Sequence, residues 1–120
     1  MKSLALIFLA LISTETLADE WTTADVYREA TYISLHAVDW LQTRSMAKNG
    51  WDEYHERNVI LGRFPKVSQV NTYFALTAIG HIMLANVLSS KWRESFQYGT
   101  TGLEFGVILS NHSIGVRIRF

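Results

Sequence analysis

The stretch Glu29-Ala30-Thr31-Tyr32-Ile33-Ser34-Leu35-His36-Ala37-Val38-Asp39-Trp40-Leu41-Gln42-Thr43 decides how the chain is read. Its polar members Glu29, Tyr32, His36, Asp39 and Thr43 advance by alternating steps of three and four. That spacing puts them on one face of a helix. Ala30, Ile33, Ala37, Val38, Trp40 and Leu41 fall on the other sides, with Val26 a turn earlier. A helix over 24–48 contains the whole seam. Thr22 or Thr23 can cap its start, Asp25 suits the positive end of the helix dipole, and Asn49-Gly50 stops it. At about 1.5 Å per residue this helix is long enough to cross a bilayer.

Upstream, Met1-Lys2-Ser3 is a short basic start, followed by the apolar run Leu4 to Ile12. Thr16-Leu17-Ala18 then offers a small residue at a cut position, before acidic Asp19-Glu20. This is the form of a secretory signal peptide over 1–18, and the run is too short to span a bilayer, which takes about 20 residues. The single domain expected is therefore 19–120.

Downstream, 49–68 is a connector rich in charge and aromatics. It is longer than a bundle loop needs, so it should carry order of its own. Its closing turn, Glu56-Arg57-Asn58-Val59-Ile60-Leu61-Gly62, ends on a glycine suited to positive φ. Glu56 can accept from backbone amides there, and Asn58 can bridge the turn. Phe64 before Pro65 must be extended.

A second helix is expected over 69–89, with Ser68 as its cap. Val70 to Leu88 holds no Asp, Glu, Lys or Arg, the strongest transmembrane signature after residue 18. Lys91-Trp92-Arg93-Glu94 reads as a charged connector with Trp92 at an interface. A third helix is expected over 94–111, with Gln97, Thr101, Glu104, Ile108 and Asn111 on one face. Gly102 and Gly106 form a small-residue pair that permits close helix approach. The tail 115–120 alternates like a strand but has no partner, and reads as a basic, membrane-proximal end.

The totals exclude several functions. Eleven basic and eleven acidic residues give a net charge of zero, against nucleic-acid binding. With no cysteine there is no disulfide, iron–sulfur cluster or thiolate zinc site. No Gly-x-Ser-x-Gly, P-loop or dinucleotide fingerprint is present, so no catalytic residue is assigned.

The expected fold is all-α: a small membrane bundle of three helices after a signal peptide. The connector 49–68 carries more cations than the segment around Lys91 and Arg93. The positive-inside rule then places the mature N-terminus outside, and the connector and C-terminus in the cytoplasm, of a bacterial inner membrane. Charges within such helices should face one another. The expected polar interior comprises His36, Asp39, Thr43, Thr77, His81, Glu104 and Asn111, with His81 pairing to Glu104 or Asp39. Its plain purpose is to fix helix register through hydrogen bonds. No cofactor is expected. A divalent metal on His36, Asp39, His81 and Glu104 is the lesser alternative, since the spacing matches no standard ligand set. An ion or solute path would need an oligomer, because three helices enclose no pore.

Asp39-Trp40-Leu41-Gln42-Thr43 and the later Glu56 to Gly62 turn together resemble small uncharacterised bacterial multi-helix membrane proteins. In those, an Asp-x-x-x-Thr helix is followed by a Glu-x-Asn-Pro turn and a glycine; here Val59 stands in the proline's place. The resemblance implies a helical membrane fold and no particular activity. The function expected is that of an accessory or scaffold subunit acting through helix packing. Its surroundings would be lipid and either copies of itself or a larger complex. The rivals are a membrane-embedded metal-binding protein or enzyme, and a soluble exported helical domain.

Overall fold

The computed structural model describes residues 19–49, 51, 60–62 and 64–119. The expected signal segment 1–18 and the turn residues Glu56 and Asn58 lie outside them. The described residues form three helices and no strand: α1 (Thr23–Lys48), α2 (Val67–Val87) and α3 (Ser90–Ser113). α1 is central and packs along both others, while α2 and α3 touch each other little. A cleft therefore opens between α2 and α3.

Each helix end has a local cause. At α1 the Thr22 hydroxyl accepts from the Asp25 amide (3.1 Å), and the Asp25 carboxylate accepts from the Thr22 amide (2.9 Å). This reciprocal box satisfies two amides that the first turn leaves open. α2 starts at Val67, just after Pro65, rather than from a Ser68 cap. Gln69 reaches back to accept from the Lys66 amide (2.8 Å).

α3 starts at Ser90, which corrects the expected connector. Only Leu88 and Ser89 separate it from α2. Lys91-Trp92-Arg93-Glu94 forms its first turn, and the Asp19 carboxylate accepts from the Ser90 amide (2.7 Å). That bond from the helix N-terminus holds the Asp19 carboxyl below its ordinary pKa. At the far end, Gly115 has φ +96° and its amide bonds to His112 O, while the Val116 amide bonds to Asn111 O. This paired closure ends the helix in a left-handed residue. It turns the tail back, so that buried Val116 packs with Met46 and Trp51. No strand forms there. Trp51 itself has φ +60°, a costly conformation for a bulky residue. It is held by a bond from its indole to Pro65 O (2.9 Å) and by that apolar cluster.

The interior is polar. Asp25, Glu29, His36, Asp39, His81 and Arg93 are buried, and so are Gln97 and Thr43. Phe74, Val70, Met46 and Trp51 are buried with them, but many large apolar side chains point outward: Leu76, Ile79, Ile82 and Leu84 on α2, and Leu103, Phe105, Val107 and Leu109 on α3. Gly99, Gly102 and Gly106 also face out, and a Cβ added there would meet nothing within 4 Å. The close approach expected at Gly102 and Gly106 is thus not used among the described residues. One helix, α2, is long and apolar enough to cross a membrane by length and composition.

Arg93 locks one end of the bundle. It is completely buried and uses all three of its nitrogens. Nε donates to Ala85 O (2.8 Å), Nη1 to the Asp25 carboxylate (3.0 Å) and Glu20 O (3.4 Å), and Nη2 to Asp19 O (2.6 Å) and Leu88 O (3.0 Å). Trp21 covers the guanidinium, 4.9 Å from its ring centre. One side chain thereby joins the chain before α1, the start of α1, the end of α2 and the start of α3. Arg93→Ala takes from Asp25 the fully buried one of its two arginine partners and frees four carbonyls, and should cost roughly 3–5 kcal/mol. Denaturant unfolding followed by helical circular dichroism measures this. A loss near the ~0.5 kcal/mol typical of exposed positions would refute the clamp. Arg93→Lys should recover only part, since a lysine lacks the planar fork.

Candidate polar site at the bundle centre

Below the Arg93 clamp, two matching hydrogen-bonded sets cross the bundle. Each takes one residue from every helix. In the upper set the Phe96 carbonyl accepts from Thr100 (2.8 Å) and Thr100 Oγ1 contacts His81 Nε2 (2.7 Å). His81 Nδ1 contacts Glu29 Oε2 (2.6 Å). In the lower set the Tyr73 carbonyl accepts from Thr77 (2.8 Å), Thr77 Oγ1 contacts His36 Nε2 (2.8 Å), and His36 Nδ1 contacts Glu104 Oε1 (2.9 Å). The order Thr–His–Glu is the same, but the helices permute: α3–α2–α1 above, α2–α1–α3 below.

The threonines fix the imidazole tautomers. Each hydroxyl spends its one proton on the carbonyl four residues back in its own helix. Its oxygen can then only accept from the ring, so Nε2 carries hydrogen in both histidines. Nδ1 faces the carboxylate, and contacts of 2.6 and 2.9 Å between two acceptors need a proton between them, held on the ring as imidazolium or on the carboxyl. Tyr32 lies between the two rings, stacked on His81 at 3.5 Å and on His36 at 5.3 Å. Phe96 covers the other face of His81 (4.3 Å).

The two sets differ in how completely they are closed. Both Glu29 oxygens have partners, since Gln97 Nε2 donates to Oε1 (3.2 Å). Gln97 also donates to Asp25 O and accepts from Arg28, which pairs with Asp25, so the upper set runs without a gap into the Arg93 clamp. Glu104 is different. Its Oε2 is buried with no hydrogen-bond partner. A second carboxyl, Asp39, stands beside it, close enough to share a proton with it. His36, Asp39 and Glu104 each present a ligand atom, all within 4.8 Å of one another.

Of the residues expected in the interior, His36, Asp39, Thr77 and Glu104 meet in or beside the lower set. Thr43 donates to Asp39 (3.2 Å) and is buried below it. Asn111 lies lower still, donating to Gln42 (3.0 Å), which donates to Ile108 O (3.3 Å). His81 stands in the other set: its partner is Glu29, not Glu104 or Asp39. Gly62 is exposed at φ +83°, away from this centre. Sequence reasoning passed over Thr100, took Arg93 for a connector residue and Asp25 for a first-turn charge, and placed Gln97 on the third-helix seam without assigning it to the interior cluster. The signal was present: 93, 97, 100, 104, 108 and 111 advance by three or four, a longer seam than the one taken from Gln97 through Thr101.

The lower set borders the cleft between α2 and α3, of about 710 Å³, which Asp39 and Glu104 line together with Tyr73, Phe74 and the Gly102–Gly106 side of α3. Two carboxylates and an imidazole at the wall of such a cleft can share a proton or ligate a cation. No family model matches this chain, and comparison with curated proteins and with solved structures finds no match either.

The tautomers are directly measurable. Ring-nitrogen NMR correlation spectra should show Nε2–H for both His36 and His81. Thr100→Val should release His81 from that tautomer and leave His36 in it. A ring without hydrogen on Nε2 in the wild-type protein would refute the threonine relay.

Proposed function

We propose that this chain is a small integral membrane protein, an accessory or scaffold subunit that works by packing against other helices in a bacterial inner membrane. The observation that carries this reading is the inverted polarity of the bundle. In water, each outward Leu, Phe or Ile forgoes roughly 1.5–3 kcal/mol of burial, while the interior charges bear the desolvation cost. In lipid both terms change sign: apolar side chains meet hydrocarbon and charges meet each other. The apolar window of α2 supports the same reading, because only 22% of it is buried inside the bundle. The core helix of a water-soluble protein would be mostly covered.

α1 and α3 do not meet the composition test for a span, and the reason is visible in their burial. Their ionisable residues cluster on the inward face, as Asp25, Glu29, His36 and Asp39 do on α1. Mean hydropathy counts those charges as if lipid met them. Orientation rests on loop charge: with Arg93 neutralised inside the bundle, Lys91 is the basic residue left at the α2–α3 junction, against Arg44, Lys48, Arg57, Arg63 and Lys66 around the connector. The positive-inside rule then favours the connector and C-terminus in the cytoplasm and the start of α1 outside. Three helices enclose no lumen, so the natural context is an oligomer or a larger complex.

Alkaline carbonate treatment of membranes should leave the protein in the pellet, with detergent required to release it. Recovery in the carbonate supernatant would refute the membrane reading. The chain has no cysteine, so Lys91→Cys and Lys66→Cys report orientation with an impermeant maleimide. Labelling of Lys91→Cys alone in intact spheroplasts is expected, and the reverse would invert the topology.

A further inference from the structure

The structure assigns a divalent-cation site to His36, Asp39 and Glu104, taking an ion of the zinc, manganese or iron class. This inference does not rest on the membrane reading. Its warrant is the contrast between the two Thr–His–Glu sets. They share one design, yet the upper is complete and the lower is not. The upper has one carboxylate with both oxygens satisfied. The lower has a second carboxylate, a buried oxygen without a partner, and a cleft at its side. An unsatisfied buried carboxylate oxygen is expensive, and it is worse beside another carboxylate. A cation removes both penalties at once, whereas register alone would be met by repeating the closed upper set.

The donor geometry fits. Ligands in adjacent positions around an ion at about 2.1 Å stand about 3 Å apart. His36 Nδ1 and Glu104 Oε1 are 2.9 Å apart, and the third donor, from Asp39, lies within the 4.8 Å set. Thr77 supplies the outer-shell bond that metal-bound imidazoles require: it holds Nε2–H and leaves Nδ1 for the ion, which displaces to solvent the proton shared there with Glu104. Thr43 likewise anchors Asp39 (3.2 Å). One imidazole with two carboxylates suits zinc, manganese or iron rather than a soft, thiolate-seeking ion. Three protein ligands leave positions open toward the cleft, where waters or a ligand group complete the shell.

The test uses the full-length protein, purified in detergent and stripped with chelator. Titration with Zn2+ and, separately, Mn2+ should each give one ion per chain. Asp39→Asn and Glu104→Gln keep side-chain shape and should each weaken binding by at least about tenfold, and Thr77→Val by about tenfold through loss of the outer shell. Glu94→Gln, at an exposed position on α3, should change nothing. Spin-echo modulation of bound Mn2+ should report one imidazole nitrogen, lost in His36→Gln and kept in His112→Gln and His55→Gln. The wild-type measurement decides the matter even where a variant fails to fold. Absence of a stoichiometric ion, or a bound ion with no nitrogen coupling, overturns the site. So do Asp39→Asn and Glu104→Gln variants that fold and bind like wild type; the carboxylates would then merely share a proton.

Discussion

The contact between His81 and Glu29, backed by Thr100, is the tie on which the bundle depends. Three side chains from three helices meet at 2.6 and 2.7 Å between the rings of Tyr32 and Phe96. Its force lies in what failure would leave behind. A buried imidazole and a buried carboxylate depend here on partners that the other helices hold in place, so sliding any helix by a turn orphans both. Apolar packing is forgiving of such slips, because one leucine replaces another. Here the register is set by groups that accept no substitute, and Arg93 repeats the argument at the end of the bundle with bonds to four separate carbonyls.

Much of this was legible in the chain and some was not, for a definite reason. The seam Glu29, Tyr32, His36, Asp39, Thr43 is a property of one helix, and spacing alone finds it; all five are buried. The long uncharged run of α2 is equally local. What spacing cannot supply is the relative height and rotation of two helices. His81 and Glu104 were natural partners on paper, but the short Leu88-Ser89 turn sets α3 so that Thr100, not Glu104, comes level with His81. The start of α3 was hidden by chemistry. Lys91-Trp92-Arg93-Glu94 has the composition of a solvated loop, and a wholly buried arginine becomes sensible only once Asp25 and the carbonyls of Asp19, Glu20, Ala85 and Leu88 are seen around it.

The permuted Thr–His–Glu sets also explain why the cleft lies where it does. The upper set sits where Gln97 and the Arg93 clamp already draw α3 toward α1, so it closes. The lower set joins α2 and α3 only through α1: Thr77 reaches His36, and His36 reaches Glu104. Neither bond of this set runs directly from α2 to α3, and Gly102 and Gly106 offer α2 no side chain to pack on. The opening beside Asp39 and Glu104 follows from the order of helices in the lower set.

That geometry separates two demands that a single polar core would confuse. The clamp and the upper set satisfy every donor and acceptor they bury, and so hold the helices. The lower set retains one oxygen in excess of its partners. A bundle already registered by Arg93 and His81 can tolerate that excess, because the other contacts over-determine the fold. Stability built at one end thus permits an electrostatically incomplete centre at the other. An incomplete centre of two carboxylates and an imidazole is the arrangement that the proposed cation would complete.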